Sequence, residues 1–176
     1  MSKFIFLFLL VIFLPQIGQS QQREELNLAI FTGHNEGVNL GMRYQLNQFQ
    51  FGLAFGTDFK YKKEVNHPEI YTGESFYHFA GKAELSERKP WYLRNGLVLR
   101  KEDFEFTDLR TFIWSYNLRI GREFNISRKI GINLDGGIIT RINTKNKETG
   151  PNPSYPDYVE HPIDPSFGLG VFYRFF

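Results

Sequence analysis

Cysteine is absent from the 176 residues of this chain. That excludes disulfide frameworks, thiol catalysis, cysteine-built zinc sites and the lipid-modified cysteine of bacterial lipoproteins. A dominant charge is also missing, because 21 Lys and Arg stand against 19 Asp and Glu, for a net charge of +2. No nucleic-acid partner is expected from that balance. Beyond residue 20 no apolar run approaches the roughly 20 residues that a membrane-spanning helix needs. Amphipathic helices, heptads and a dividing linker are lacking as well. What the chain has in quantity is aromatic and small residues, with 19 Phe, 9 Tyr and 16 Gly, and 41% of its residues are hydrophobic. This is too apolar for a disordered chain.

Residues 1–20 carry a basic start at Lys3, an apolar run over 4–14, a break at Pro15, and small residues at Gly18 and Ser20. That is the layout of a secretory signal peptide cleaved after Ser20. The run is about half the length of a membrane anchor. Residues 21–176 are then expected to form one domain, working outside the cytoplasm or crossing a membrane as strands.

From Leu26 onward, apolar and polar residues alternate with period two in segments of about ten, separated by turn-like clusters. The clearest segment sets Phe112, Trp114, Tyr116, Leu118 and Ile120 on one face against Ile113, Ser115, Asn117, Arg119 and Gly121 on the other. Eight such strands are counted, beginning near residues 26, 38, 49, 77, 91, 112, 130 and 167. Connections at 47–48, 86–90 and 123–128 read as short, those at 62–74 and 143–165 as long, and 102–108 as intermediate. A tight glycine-bounded turn at 33–37 breaks the alternation.

The second face of each strand is rich in Gly, Ala, Asn, Gln and Ser, which suits a cramped interior. An eight-stranded barrel has a lumen just wide enough for its own side chains. With that face inside, the Phe-rich face lies in lipid and rings near strand ends form interfacial girdles. A closed barrel is the strand architecture that satisfies every backbone group in a bilayer.

The signal peptide, the eight alternating strands and the aromatic segment 167–176 together resemble the small outer-membrane β-barrels of diderm bacteria, of the OmpA-transmembrane-domain or OmpX type. The resemblance covers the whole mature chain. It implies an all-β, eight-stranded antiparallel up-and-down transmembrane barrel in the outer membrane, with both termini in the periplasm and the longer loops outside. It also implies that the barrel-assembly machinery reads the last strand, where Tyr173 and Phe175 face outward and Phe176 falls one position out of phase.

The face assignment places Arg43, Lys60, Lys82, Arg94, Arg100, Arg119, Arg141 and Arg174 inside, against Asp58, Glu84 and Asp135. Diagonal pairs Glu84–Arg94 and Arg119–Asp135 are expected, since cross-strand neighbours at that spacing are within reach of long side chains. The bland account is a charge-paired filling of the core, a lone charge there being costly; the alternative is a gated or anion-preferring path.

No catalysis is expected. The deacylase-type barrel resembles a chain with Ser two residues after His, and none of His34, His67, His78 or His161 has one. Ser75 and His78, three apart, fall on opposite faces. No metal or cofactor is expected, because nothing fixes the spacing of His67, His161 and the nearby acids Glu69, Glu160 and Asp164. Residues 151–165 hold five prolines. With Tyr155, Asp157, Tyr158, Glu160 and His161 they form either a loop folded over the barrel mouth or a recognition surface, since loop tips carry function in such folds. Lys62, Lys63, Lys145 and Lys147 are either solvated or opposite lipopolysaccharide phosphates at the outer rim. The expected protein is a monomeric outer-membrane barrel with a filled core and a structural or surface-interaction role, its partners being membrane lipid and lipopolysaccharide. A narrow pore or small-ligand barrel, and a soluble secreted barrel holding a hydrophobic ligand, remain as alternatives.

Overall fold

The computed structural model describes residues 25–33, 36–59, 67–86, 88–104, 109–148 and 163–175. They form β1 (Glu25–Gly33), β2 (Gly37–Leu46), β3 (Phe49–Thr57), β4 (Glu69–Ala80), β5 (Trp91–Phe104), β6 (Leu109–Asn125), β7 (Ile130–Glu148) and β8 (Ile163–Arg174). Every strand pairs antiparallel with its sequence neighbours, and β1 pairs with β8 to close an up-and-down barrel.

Following directly opposed residues from Tyr173 through Leu28, Met42, Leu53, Gly73, Leu97, Tyr116 and Thr140 returns to β8 at Ile163, ten residues from the start. A stagger of that size around eight strands tilts them by about 40–45° to the barrel axis. The interior is then narrow enough for side chains to span.

Alternation sorts the faces as the sequence pattern predicts. Leu53 is 76% exposed and Phe55 62%, whereas Arg43, Arg94, Arg119 and Arg174 are at most 2% exposed. Glycines on the inner face make room for the large ones. A Cβ on Gly52 would lie 2.9 Å from both Arg43 Cγ and Glu74 Cγ, and one on Gly121 would lie 2.7 Å from Asp135 Cβ.

Two turns decide the ends of the barrel. Between β1 and β2 the chain reverses in three residues, with Gly37 at φ +66°. Between β4 and β5, Gly81 takes φ +87° after a register shift between His78 and Ala80. Both are left-handed conformations that glycine adopts without a Cβ penalty. At the β6–β7 turn, Ser127 Oγ accepts from the Lys129 and Ile130 N–H groups at 3.1 and 3.0 Å, so this serine builds the turn.

Several strands are longer than their apolar alternation suggests. β4 begins at Glu69, inside the expected long loop, and ends at Ala80 where the alternation had continued to Leu85. β7 continues to Glu148, and β5 to Phe104, through residues expected as loop. The outer ends of β5, β6 and β7 are hydrogen-bonded to one another there, so pairing sustains strands whose outward residues have turned polar.

Candidate functional site

Three guanidinium groups and three carboxylates meet across the lumen, from five strands and one turn. Arg43 Nε donates to Glu74 Oε1 at 2.6 Å, and Arg94 lies 2.9 Å from the other oxygen of the same carboxylate. Arg94 also reaches Glu36 at 3.4 Å and Asp135 at 3.7 Å. Arg119 lies 3.1 Å from both Glu36 and Asp135 and donates to Ser166 on β8. Tyr92 donates to Asp135 at 3.0 Å, and Asn117 donates to Glu36. Aromatic faces complete the packing, with the Arg43 guanidinium 4.5 Å from the Phe76 ring centre and that of Arg94 5.0 Å from Phe31. Cation–π attraction of this kind strengthens where water is excluded.

The structure places Arg43, Arg94, Arg119 and Asp135 in the interior, with Arg119 3.1 Å from Asp135. Arg141 is half-buried on the same face, in register with Ser115. Two expected members are corrected. Lys82 and Glu84 are both exposed, because β4 stops at Ala80 and the chain turns at Gly81 before reaching them. The Glu84–Arg94 pair does not form, and Glu74 takes that role. Glu74 fell in a segment read as loop, so its inward alternation with Phe76 and Thr72 was hidden.

Glu36 is the other carboxylate missed. It is fully buried although it belongs to a turn. The turn is short enough to tip over the rim, and its N–H donates to the Gly33 carbonyl at 3.1 Å. The side chain then points down the axis. Its sequence signal was the tight glycine-bounded turn standing where the pattern called for a longer loop.

A second ionic group closes the end of the lumen where β1 begins and β8 ends. Arg88, from the β4–β5 turn, is buried and donates through Nε and Nη2 to one Glu123 oxygen at 3.0 and 2.6 Å, and through Nη1 to Gln45. Arg174 reaches the same Glu123 oxygen at 3.4 Å. His78 sits beside them, fully buried, with Nδ1 2.8 Å from the Lys89 carbonyl. A carbonyl only accepts, so Nδ1 carries the proton. Arg88→Ala is expected to cost about 3 kcal/mol by taking the closer of two cations from a buried carboxylate and leaving it only the longer contact to Arg174. Urea unfolding in detergent measures it, and a change under about 0.5 kcal/mol, the size for a surface residue, would show that the turn is not docked.

The outer surface is the inverse of this interior. Around the end where β1 begins and β8 ends, Tyr44, Phe49, Tyr77, Phe79, Trp91, Phe124, Tyr173 and Phe175 are all exposed. The Arg122 guanidinium lies over Trp91 and Phe124 at 5.6 and 5.1 Å, a cation resting on the aromatic ring of residues. Apolar side chains cover most of the middle, and charges reappear at the far ends of the strands, where Lys101 donates to Glu69 at 2.8 Å and Arg110 to Asp103. An aromatic-bounded apolar belt around a charged interior is the polarity of a barrel made for lipid.

No family model matches the chain, and no curated protein matches it significantly. Among solved structures, the N-terminal β-barrel domain of Pseudomonas aeruginosa OprF superposes with a TM-score of 0.52 at 13% identity, over 88% of this chain and all of that one. The fold is that of a small, OmpA-like outer-membrane barrel. Acinetobacter baumannii CarO (TM-score 0.43, 11% identity, 88% and 99% of the two chains) and Neisserial surface protein A (0.42, 10%, 86% and 94%) are further similar structures. At such identities the OmpA-like likeness concerns the fold alone, and no residue of the interior network is carried over from it.

Within this OmpA-like barrel, Tyr173 and Phe175 of the expected assembly signal lie on the outer face, ring centres 5.2 Å apart. Phe176 lies outside the described residues. So do residues 1–20, Lys60, Lys62, Lys63, and the candidate loop residues Tyr155, Asp157, Tyr158, Glu160 and His161. Lys145 and Lys147 are exposed at the far end of β7. Among the described residues no three His, Asp or Glu side chains gather to hold a metal ion.

Proposed function

We propose that this chain is an integral outer-membrane protein whose core is filled by its own side chains, and that its role is structural or exercised through its outer loops. The observation that carries the reading is the inverted polarity: buried Arg, Glu and Asp inside, exposed Leu, Phe and Tyr outside. In water this arrangement would pay twice, leaving a large apolar surface wet while desolvating charges. In a bilayer only the second cost remains, and the ion pairs meet it. The belt contacts membrane lipid, the far-end cations Lys145 and Lys147 face the headgroup layer where lipopolysaccharide phosphates lie, and Tyr173 with Phe175 serves the assembly machinery. The reading is non-enzymatic: Ser75 faces outward and His78 inward, which keeps the nearest hydroxyl–imidazole combination on β4 apart.

Fractionation of expressing cells tests this directly. The protein is expected in the outer-membrane fraction, migrating faster on a detergent gel before boiling than after. Recovery in the soluble fraction with no shift would turn the belt into the lining of a different fold and end the proposal. The narrow-pore reading would require the Arg43, Arg94 and Arg119 cluster to part, and single-channel recording in planar bilayers is expected to show no steady conductance from the intact barrel.

A further inference from the structure

The lipid-facing surface of β4 and β5 has a polar notch in the middle of the apolar belt. Gly73, Ser75 and Asn95 face outward, Ser75 directly opposite Asn95, and their neighbours in the same rows are Leu53, Leu97, Phe51 and Leu118. Asn95 Oδ1 accepts from Tyr116 at 2.6 Å, but its amide N–H groups and the Ser75 hydroxyl have no partner among the described residues. Hydrocarbon offers such groups nothing, whereas a second protein surface does. Gly73 adds an independent sign. Its φ is not left-handed, and a Cβ placed there would meet only Leu53 Cδ2 at 3.9 Å, so neither backbone nor packing requires glycine. The other outward glycine, Gly136, differs, since a Cβ there would lie 3.4 Å from the Phe167 ring.

We infer that this notch is the contact through which two copies of the chain associate in the membrane. A second copy is the occupant that the chemistry favours, because a carboxamide is both donor and acceptor. Two Asn95 side chains across a two-fold axis satisfy each other, each Oδ1 keeping a lone pair for its own Tyr116. The missing side chain at Gly73 lets the two sheets approach beside that axis. The inference rests on the membrane reading above and replaces the monomer expected from the sequence.

The absence of cysteine makes the test clean. Ser75→Cys, Asn95→Cys and Leu169→Cys are each introduced singly, Leu169 lying in the belt on β8, remote from β4 and β5. Native outer membranes are treated with a mild oxidant, and only the heat-modifiable, membrane-embedded protein is scored. Cross-linked dimer is expected from positions 75 and 95 and not from 169. Adding Asn95→Leu to Ser75→Cys is expected to reduce the dimer roughly fivefold, as for loss of one polar contact in a bilayer. Embedded protein that stays uncross-linked at all three positions would mean that lipid covers the notch, and would overturn the inference while sparing the membrane reading. Equal cross-linking at all three would mean random collision, and a product of another size would mean a different partner; either overturns it. Protein absent from the membrane fraction would defeat both.

Discussion

Replacing Glu36 with alanine is expected to lower the barrel's unfolding free energy by about 3–5 kcal/mol, the range for removing one partner from a buried ionic group. This is a large effect for a turn residue, and it follows from where the turn puts the carboxylate. Arg94 and Arg119 both lie within 3.4 Å of it, and Asn117 donates to it. Without Glu36, three buried guanidinium groups share Glu74 and Asp135, and one positive charge is left without a counter-ion in a site closed to water. Glu36→Gln preserves size and the bond from Asn117, so it is expected to recover part of the loss. Urea titration of the refolded barrel in detergent, with the temperature of the gel-mobility shift as a second reading, measures both. An unchanged midpoint for Glu36→Ala would show that the turn does not insert into the lumen.

The second large effect concerns Arg119 and Asp135. Were these an isolated pair, exchanging them as Arg119→Asp with Asp135→Arg would restore what each single change removes. The geometry argues for the opposite result. Asp135 is shared with Arg94 and Tyr92, and Arg119 with Glu36 and Ser166. In the exchanged protein an arginine at 135 would face Arg94, and an aspartate at 119 would face Glu36. Each single variant is expected to lose about 3–5 kcal/mol. The double variant is expected to be no more stable than either, because pairwise terms in a shared network do not cancel. The same unfolding titration decides it. Recovery to near the parent midpoint would reduce the network to independent pairs.

The strand faces were legible because the signal is local. Period-two alternation needs only the order of residues, and it assigned Arg43, Arg94, Arg119 and Asp135 to the interior. The strand ends were less legible. Thr72, Glu74 and Phe76 alternate inward, but their outward neighbours Gly73 and Ser75 carry no apolar mark, so the pattern fades where the strand continues. The same two residues that obscured β4 also form the notch on its outer face. At the other end, Lys82 and Glu84 continue the alternation beyond a turn whose geometry depends on Gly81 and a register shift against β5.

The interior as read from the alternating pattern had eight cations and three anions. The structure adds Glu36, Glu74, Glu102 and Glu123 on the negative side and Arg88 on the positive, while Lys82 and Glu84 leave. Glu102, for instance, accepts from Arg100 at 2.6 Å, and Asp58 from the same guanidinium at 3.0 Å. Glu36 and Arg88 come from turns, where alternation carries no information about direction.

Order along the chain was therefore enough to determine an eight-stranded barrel with polar residues in and aromatic residues out, since each strand's two faces are written in its own residues. Which charges meet was decided only by closure of the barrel. The ten-residue stagger brings Glu74 of β4 level with Arg43 of β2, and the short β1–β2 turn lowers Glu36 between Arg94 and Arg119, residues 58 and 83 positions away. Such contacts depend on tilt, stagger and the heights of the rims, which are properties of the closed sheet as a whole and of no single strand.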